Sequence, residues 1–517
     1  MTDERMQPHF CLWREPWIQL QRPDGAVDTL SLRETLVRAQ NYESIIELSP
    51  LAVVGIHRLL VAILQDALEP RRIRDLQSLR RQAAFAPDAI QAFEQAFGAR
   101  FDLFSEDAPF LQCAELTLEP TARDKSVTYL HPSWPFGEVT HFRHGVSDEM
   151  AFCPACAASG LVSMPSCALA IGRSFRFPMA GRTPVFVLPQ GSTLHESLAA
   201  SLAIPKYQPD ACDAEDDRAW WRRKAVIGNR EEVHRVGYVH SLTFPIRRVR
   251  LHPEAMELPC SRCGRQAPWG VRAMVFDAGE YFADESSTWE DPFVAYRLPS
   301  ARRQGAPRPV MVTEGRALWR DYSALFLTTP EQHEDPRRER TRRPLIIDQM
   351  AEVAESDPGL HTSFRCIGIR TETMRVANIH EWIDDLLDVP GELLDEGRAS
   401  VEIEDGLAFA ERVMDHLRGI WARAFKEPGL SQRMEAAYWE ALSGPFRSFV
   451  LDMVDESQIT KGWRAWVSTV IDVAEREFVR ASEQTGTDAE ALRRQVQAQA
   501  QCRQWLLEQR KEVWGDE

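Results

Sequence analysis

The stretch that decides the fold is Cys153-Pro-Ala-Cys156, because a second pair of the same spacing, Cys260-Ser-Arg-Cys263, follows it far along the chain. Four thiolates in two CxxC pairs are the ligand set of a closed tetrahedral zinc site. Gly264, directly after the second pair, suits the left-handed backbone that such a turn often needs. The two pairs therefore predict a structural zinc ion that holds two distant segments together.

The separation of the two pairs bears on what the metal would do. Roughly 100 residues lie between them, so an ion would close a long loop, and the free energy of metal binding would offset the entropy of closure. Two alternatives remain open for these cysteines, a redox-active CxxC and unrelated buried thiols. If all four sulfurs bind one ion, no coordination position stays open, and the metal is structural rather than catalytic.

The composition is that of a globular protein with room for more than one domain. Of 517 residues, 44% are hydrophobic and 27% are charged. The net charge of −16 argues against coating nucleic acid with the whole surface, but it is compatible with local basic patches. We find no signal peptide and no run of about 18 uncharged apolar residues, and ten cysteines in a chain of this length favour a reducing compartment. A cytoplasmic protein is expected.

The N-terminal part of the chain carries clear local signals. A β-hairpin is predicted to turn at Pro23-Asp24-Gly25. Ser31 and Glu34 have the spacing of a capping box that opens a helix. Leu51 to Leu68 is predicted as a long apolar helix, and its His57 is expected to be a core histidine.

The middle of the chain is less regular. Pro165 to Arg182 combines small residues with arginines, which would let a backbone approach phosphate or guanine, although an ordinary surface turn is the alternative. Residues 205–230 are interpreted as a charged insertion or linker. Leu345-Ile346-Ile347 and Phe364 to Ile369 are predicted strands.

Phe142 lies among histidines and an arginine, in a segment interrupted by proline and glycine. His141 and His144 could bind a metal, but no third ligand stands nearby in the sequence. A phenylalanine beside Arg143 fits contact with RNA better, because aromatic and guanidinium planes stack on unpaired bases.

Beyond about residue 398 the pattern becomes helical to the end of the chain. Trp463, Val467 and Val470 lie on one apolar face at helical spacing, and short connections predict a four-helix bundle. The sequence therefore predicts an α+β fold. It would consist of a large mixed N-terminal domain with a zinc-stapled core over residues 1–397 and a C-terminal four-helix bundle over residues 398–517.

In this order of features the chain resembles the CasA family, the large subunits of the type I-E CRISPR surveillance complex Cascade. The resemblance covers nearly the whole chain. Its firmest anchors are the two cysteine pairs, the segment Gly181-Arg182-Thr183-Pro184-Val185 and the position of Phe142 shortly before Cys153.

The resemblance implies a non-catalytic subunit that recognises the protospacer-adjacent motif in duplex DNA, helps to open that duplex and recruits a Cas helicase-nuclease. It implies the other Cascade subunits and the CRISPR guide RNA as partners. It assigns contact with the 5′ handle of the guide RNA to Phe142, Arg143 and His144. It assigns recognition of the motif through the minor groove to Ala170, Gly172 and Arg173. It assigns the wedge that enters DNA to Thr371, Glu372, Thr373 and Met374, where Thr373 stands nearest to a glutamine of the family.

Two other classes of function remain open. A zinc-stabilised, non-catalytic scaffold of another ribonucleoprotein would bind RNA without opening a duplex. An enzyme would need a nucleophile, a base and an orienting group, and we can assemble no such set from the sequence.

Overall fold

The structure, a computed structural model, describes residues 7–121, 123–134, 150–170, 175–209, 217–282, 289–299, 305–327, 340–354, 361–371, 379–394, 398–425, 427–455 and 457–514. The chain divides into two compact units. Unit 1 comprises Met1–Val312 with Glu339–Asp388, and unit 2 comprises Thr313–Arg338 with Val389–Glu517. From the sequence, a single boundary was predicted at residue 398, which assigned residues 313–338 to the N-terminal domain.

Unit 1 contains both helices and strands, whereas the described part of unit 2 is mainly helical. The α-helices of the described chain are α1 (Leu32–Val37), α2 (Pro50–Leu68), α3 (Ile73–Arg81), α4 (Pro87–Phe97), α5 (Pro154–Cys167), α6 (Leu194–Ala200), α7 (Tyr238–Leu242), α8 (Tyr322–Phe326), α9 (Leu345–Ala354), α10 (Arg398–Ala424), α11 (Pro428–Val454), α12 (Ile459–Ser482) and α13 (Ala489–Trp514). The strands are β1 (Ile18–Gln21), β2 (Val27–Leu30), β3 (Ser44–Ile46), β4 (Lys125–Ser126), β5 (Phe186–Gln190), β6 (Glu232–Val233), β7 (Arg247–Ala255), β8 (Trp269–Ala278), β9 (Tyr281–Phe282), β10 (Tyr296–Arg297), β11 (Arg308–Pro309), β12 (Thr341–Arg342), β13 (His361–Thr371) and β14 (Ile379–Pro390). This mixture confirms the α+β class.

Unit 1 is built from several small sheets. Three-stranded sheets have the orders β2-β1-β3, β4-β8-β7, β11-β10-β12 and β14-β13-β5, and β6 pairs in parallel with β9. A long hairpin joins β7 to β8, with an antiparallel register that runs from Arg247 opposite Ala278 to Ala255 opposite Trp269. The connection between these two strands carries the second cysteine pair.

The predicted N-terminal hairpin and capped helix are confirmed. β1 and β2 pair around Gly25, which has a φ of +82° that a glycine adopts without strain. Ser31 Oγ accepts a hydrogen bond from the Glu34 amide at 3.2 Å, and the Glu34 carboxylate accepts one from the Ser31 amide at 3.1 Å. This reciprocal pair satisfies two amides at the start of α1.

α2 is the central helix of unit 1, as its apolar sequence predicts. Its length and composition would also suffice to span a membrane, but 83% of that window is buried inside the protein. His57 is a core histidine, with Nε2 at 2.9 Å from Ser201 Oγ. α2 packs closely on α5, because a Cβ added to Gly55 would lie only 2.5 Å from the Ser163 Cα.

The strand predicted at Leu345-Ile346-Ile347 is wrong, because these residues open helix α9. Ile346 and Ile347 are buried together with Met350 and Ala351, one turn later, so the apolar residues form one face at helical spacing. An apolar run of three residues is too short to distinguish strand from helix. The prediction of a strand over Phe364 to Ile369 is confirmed by β13.

Two interpretations of the middle of the chain also need correction. Pro165 lies inside α5, so the irregular segment begins after Cys167 rather than at the proline. The described part of residues 205–230 is not a linker, because Trp220 and Trp221 are 1% and 3% exposed. The Trp221 ring stacks on Phe101 with centroids 5.4 Å apart, which ties the segment to the aromatic core.

In unit 2, the four long helices α10 to α13 pack into the predicted bundle. Its core is aromatic: Trp466 stacks on Phe449 at 5.2 Å, and its indole N–H donates to the Gly406 carbonyl at 2.9 Å. Arg320, in the short turn before α8, pairs with Glu411 of α10 at 2.7 Å. The buried indole N–H of Trp466 and the buried guanidinium of Arg320 therefore each have a polar partner on α10.

Candidate metal centre and nucleic-acid interface

The first cysteine pair lies at the start of helix α5. Cys153 is the N-cap residue, Pro154 occupies the first turn, and Cys156 follows on the same turn. Proline is favoured there, because its fixed φ suits the helix and its missing N–H would have no partner within it. The first turn of α5 therefore brings the two sulfurs of this CxxC pair close enough to bind one ion.

The second pair reaches the first through the edge of β8. The backbones of Phe152 and Val271 exchange two hydrogen bonds of 2.9 Å, so the chain before α5 runs alongside β8. The Ser261 amide donates to the Ala151 carbonyl at 2.9 Å. These bonds bring the connection between β7 and β8 against the start of α5.

The four sulfurs have the spacing of a metal site. All four Sγ atoms lie within 4.8 Å of one another, and those of Cys153 and Cys263 are 3.7 Å apart. Zinc–sulfur bonds of about 2.3 Å in a tetrahedron place the sulfurs about 3.8 Å apart. Three of the four residues are buried, and Cys263 is half-buried. The sequence prediction that these cysteines come together is confirmed, and the cluster can hold a metal ion.

Backbone groups around the second pair suit metal-bound thiolates. The Cys153 amide donates to Cys260 Sγ at 3.2 Å. Gly264 has a φ of +74°, and a Cβ there would meet nothing within 4 Å, so conformation rather than space requires glycine. Its amide closes the turn on the Cys260 carbonyl at 2.8 Å.

The close sulfurs perturb each other's acidity. The pKa of Cys260 is lowered, chiefly because the Cys153 thiol donates a hydrogen bond to its thiolate. The pKa of Cys156 is raised, chiefly because its own thiol is hydrogen-bonded to Cys153. Metal binding at such a set requires thiolates and therefore releases protons.

Most of the predicted nucleic-acid residues lie outside the described part of the chain. This applies to the guide RNA residues Phe142, Arg143 and His144, to the motif residues Gly172 and Arg173, and to the wedge residues Glu372, Thr373 and Met374. Ala170 and Thr371 are described, and both are half-buried. Each of them is the first residue of a segment that the resemblance assigns to DNA.

Arg247 connects the two described ends of the segment that contains Ala170. Its Nη2 donates to the Leu169 carbonyl at 2.7 Å and to the Arg176 carbonyl at 3.1 Å. Its guanidinium lies 4.9 Å from the centre of the Phe175 ring. Burial lowers the pKa of Arg247 to about 9. The buried Arg247 guanidinium therefore binds backbone carbonyl groups on both sides of residues 170–174.

Thr371 ends strand β13, and β14 is its hydrogen-bonded neighbour. Arg365 of β13 forms a double ion pair with Asp384 of β14 at 2.7 Å. Arg370 lies 3.5 Å from Glu381. The partners run in opposite directions along the two strands, so these strands hold both ends of the connection that contains the predicted wedge residues.

Sequence reasoning missed three residues around these sites. One is Arg247; the other two are Arg262, whose Nη1 lies 3.7 Å from Cys156 Sγ, and its ion-pair partner Glu47. Arg262 lies within the second CxxC pair, so its position beside the sulfurs was the available signal. Glu47 and Arg247 are remote in sequence from the groups they hold, and no local pattern marks them. Their roles depend on tertiary contacts alone.

Comparisons with known proteins identify the family. A profile described as CRISPR-associated protein Cse1 matches residues 12–476. A CRISPR-associated protein CasA/Cse1 of Thermus thermophilus is 28% identical over 492 residues, covering 88% of this chain and 89% of the relative.

Solved structures agree in fold. Cse1 from Acidimicrobium ferrooxidans matches with a TM-score of 0.80 and 22% identity, over 98% of this chain and all of the other. A chain of a structure described as a CRISPR RNA-guided surveillance complex matches with a TM-score of 0.72 and 21% identity, over 97% of this chain and all of the other. Since the family profile covers most of the sequence, the chain belongs to the CRISPR-associated Cse1 (CasA) family.

Proposed function

We propose that this protein is the large subunit of a CRISPR RNA-guided DNA surveillance complex that serves antiviral defence. The observation that carries the proposal is the family match over residues 12–476, joined to a relative that aligns with 88% of the chain. A solved chain with the same fold belongs to a complex described as an RNA-guided surveillance complex. The proposed partners are the other Cascade subunits, the guide RNA and target DNA, in the cytoplasm.

We propose that the four-cysteine cluster holds one structural Zn²⁺. The ligands would be Cys153, Cys156, Cys260 and Cys263, whose sulfurs have the spacing that tetrahedral zinc requires. When bound, the ion supplies a cross-link between two distant segments and no catalysis, because sulfur occupies every position. The chain's own residues do the rest: they supply thiolates, donate amide hydrogens to sulfur and bury the site.

In duplex DNA, we propose that Ala170, Gly172 and Arg173 read the protospacer-adjacent motif through the minor groove. The minor groove carries mainly A·T-versus-G·C information, so close backbone approach and one guanidinium are suited to it. Arg247 donates hydrogen bonds to the backbone on both sides of this segment, at Leu169 and Arg176. These bonds support the proposal, because a segment that recognises the shape of a groove needs its two ends held in place. The connection after Thr371 would then enter the opened base step.

We further propose that the subunit is not an enzyme and that it recruits a Cas helicase-nuclease once the R-loop has formed. Recruitment follows from the family resemblance alone. A cluster with four sulfur ligands leaves no position for substrate or water, which supports the absence of metal catalysis at this site.

The experiment that tests the function is purification of the tagged chain from cells that express the other subunits and a repeat array. We expect a short RNA of uniform length with a constant repeat-derived end to copurify. The purified complex should bind a target duplex that carries the motif more tightly than the same duplex with the motif scrambled.

Two results would contradict the proposal in different ways. RNA of other origin in the purified complex, with no dependence on a DNA motif, would favour a scaffold of another ribonucleoprotein. Repeat-derived RNA together with equal affinity for both duplexes would retain complex membership but remove motif recognition.

A further inference from the structure

Beside the cysteine cluster lies a buried ion pair that the sequence did not predict. Arg262, between the two cysteines of the second pair, has a side chain only 2% exposed. Its Nη1 donates to Glu47 Oε1 at 2.9 Å and its Nη2 to Glu47 Oε2 at 2.5 Å. Such a forked arrangement fixes a guanidinium in position and direction.

The same guanidinium faces the sulfurs. Arg262 Nη1 lies 3.7 Å from Cys156 Sγ, within reach of a hydrogen bond to sulfur. A tetrathiolate around a divalent ion carries a net charge of −2, and a buried cation at that distance disperses part of it. Hydrogen bonds to metal ligands commonly set metal affinity and the electron density on the ligand atom.

Glu47 is held in turn by three structural elements. It follows strand β3 and accepts hydrogen bonds from the Leu48 amide at 2.5 Å and the Ser49 amide at 3.4 Å, at the start of α2. Ser159 of α5 donates to Glu47 Oε1 at 2.7 Å. The pKa of Glu47 is lowered: burial raises it, but the hydrogen bonds and charge of Arg262 outweigh that effect. The carboxylate is therefore a rigid, fully partnered anchor for Arg262.

We infer that Arg262, anchored by Glu47, is an outer-shell donor to Cys156 that controls how firmly the four-cysteine site retains its metal. The inference deepens the proposed zinc assignment and rests on it. Arg262 does not bind the ion; it is a positioning residue that acts through the sulfur of Cys156. Loss of an outer-shell partner typically weakens metal binding by about 10–100-fold.

The test compares Arg262→Met, which keeps an apolar side chain but removes the guanidinium, with wild type and Arg265→Met. Arg265 is the matched control, because it lies in the same turn but its guanidinium donates to Thr29 Oγ1 at 2.8 Å. Only its backbone, which the substitution keeps, is hydrogen-bonded to Cys263. In a competition titration of the full chain against a chromophoric chelator, we expect Arg262→Met to bind Zn²⁺ about 10–100-fold more weakly than wild type. Arg265→Met should match wild type.

A spectroscopic measurement separates this role from general support of the fold. With Co²⁺ in place of zinc, losing the hydrogen bond to Cys156 raises electron density on sulfur, so the thiolate-to-cobalt charge-transfer band should move to longer wavelength. Arg262→Lys should restore the zinc affinity and the cobalt spectrum of wild type only in part. The ammonium of lysine lacks the planar, forked donors with which the guanidinium binds Glu47 and faces sulfur together. Should Arg262→Met not fold, Glu47→Gln provides the second variant, with an intermediate zinc affinity expected.

The outcomes distinguish the two proposals. A zinc affinity and a cobalt spectrum identical to wild type in Arg262→Met, or in Glu47→Gln where the first variant does not fold, overturn the inference while the zinc assignment stands. Wild-type protein that binds no Zn²⁺ in the titration overturns both.

Discussion

The Sγ atoms of Cys153 and Cys263 lie 3.7 Å apart, although 110 positions separate the two residues in the chain. Without an ion, four buried thiols at this spacing gain little from their proximity, whereas a divalent ion would bind all of them. We therefore expect about one equivalent of zinc in the purified protein. Cys260→Ser should lose the metal and much of its solubility, because the closure of a long loop then has no compensation.

Metal content by plasma mass spectrometry checks this prediction. Cys366→Ser is the matched control, because Cys366 is equally buried but lies outside the cluster. Well-folded wild-type protein without zinc would rule out the assignment.

Close packing of α2 on α5 gives a second prediction. A Cβ at Gly55 would lie 2.5 Å from the Ser163 Cα and 2.7 Å from the Val162 carbonyl oxygen, and backbone cannot yield as a side chain can. Gly55→Ala should therefore reduce the free energy of unfolding of unit 1 by about 1–3 kcal/mol. Denaturant unfolding followed by circular dichroism measures the change.

Gly419 provides a control of opposite sign. It lies within α10, and a Cβ there would meet only the end of the Arg423 side chain, at 3.5 Å. Gly419→Ala should stabilise unit 2 by about 0.5–1 kcal/mol, because alanine loses less backbone entropy in a helix. Equal effects of the two substitutions would contradict the close approach of α2 and α5.

Secondary structure was predicted most successfully where neighbouring residues form a clear turn or capping motif, or where a helical period extends over many residues. The hairpin at Gly25, the capping box of Ser31 and the long helices α2 and α10 to α13 each follow from strong periodicity or capping. The cysteine cluster was also predictable, since two CxxC pairs are the usual ligand set of a tetrahedral zinc site.

Prediction failed where tertiary contacts decide. Leu345-Ile346-Ile347 is helical because its apolar face continues at Met350, and Trp221 is core because Phe101 receives it. The pair of Glu47 and Arg262 spans 215 positions, and the bonds of Arg247 join residues 78 and 71 positions away. No local period encodes such long-range polar contacts.

Acid should destabilise unit 1 through His57. Burial first, and the neighbouring charge of Arg58 second, lower its pKa from 6.5 to about 3. Between these values the unfolded state binds a proton that the folded state does not. The stability is thus fully present above pH 6.5 and falls by about 1.4 kcal/mol for each pH unit below it, until the folded pKa is reached.

His57→Gln tests this contribution, because the glutamine amide can still reach Ser201 but does not titrate. The variant should lose about 2 kcal/mol less than wild type between pH 6.5 and pH 5. Denaturant unfolding at both pH values measures the difference. An unchanged pH dependence would mean that His57 already titrates in the folded state.

The proposed contact between Phe142 and the guide RNA makes a prediction about assembly. Stacking of an aromatic ring on an unpaired base is typically worth about 1–3 kcal/mol. Phe142→Ala should weaken association with the RNA-containing remainder of the complex by about tenfold or more, while the isolated subunit unfolds at the same temperature as wild type. Titration by biolayer interferometry provides the affinity, and unchanged assembly would remove Phe142 from the interface.

The last prediction separates reading of the motif from opening of the duplex. Arg173→Ala should weaken binding to motif-bearing duplex, because a minor-groove guanidinium is lost. Thr373→Gly combined with Met374→Gly should leave this first binding nearly unchanged and slow R-loop formation. Met374 is the apolar side chain suited to stack on the first opened pair, and unstacking one step costs a few kcal/mol.

The topology of the DNA supplies the control within the same experiment. Negative supercoiling favours strand opening, so the wedge variant should be slowed more on linear duplex than on supercoiled plasmid. Single-stranded target that pairs with the guide requires no reading or opening of a duplex, and both variants should bind it like wild type. If Arg173→Ala weakens single-stranded and duplex targets equally, the segment from Ala170 to Arg173 serves assembly rather than motif recognition.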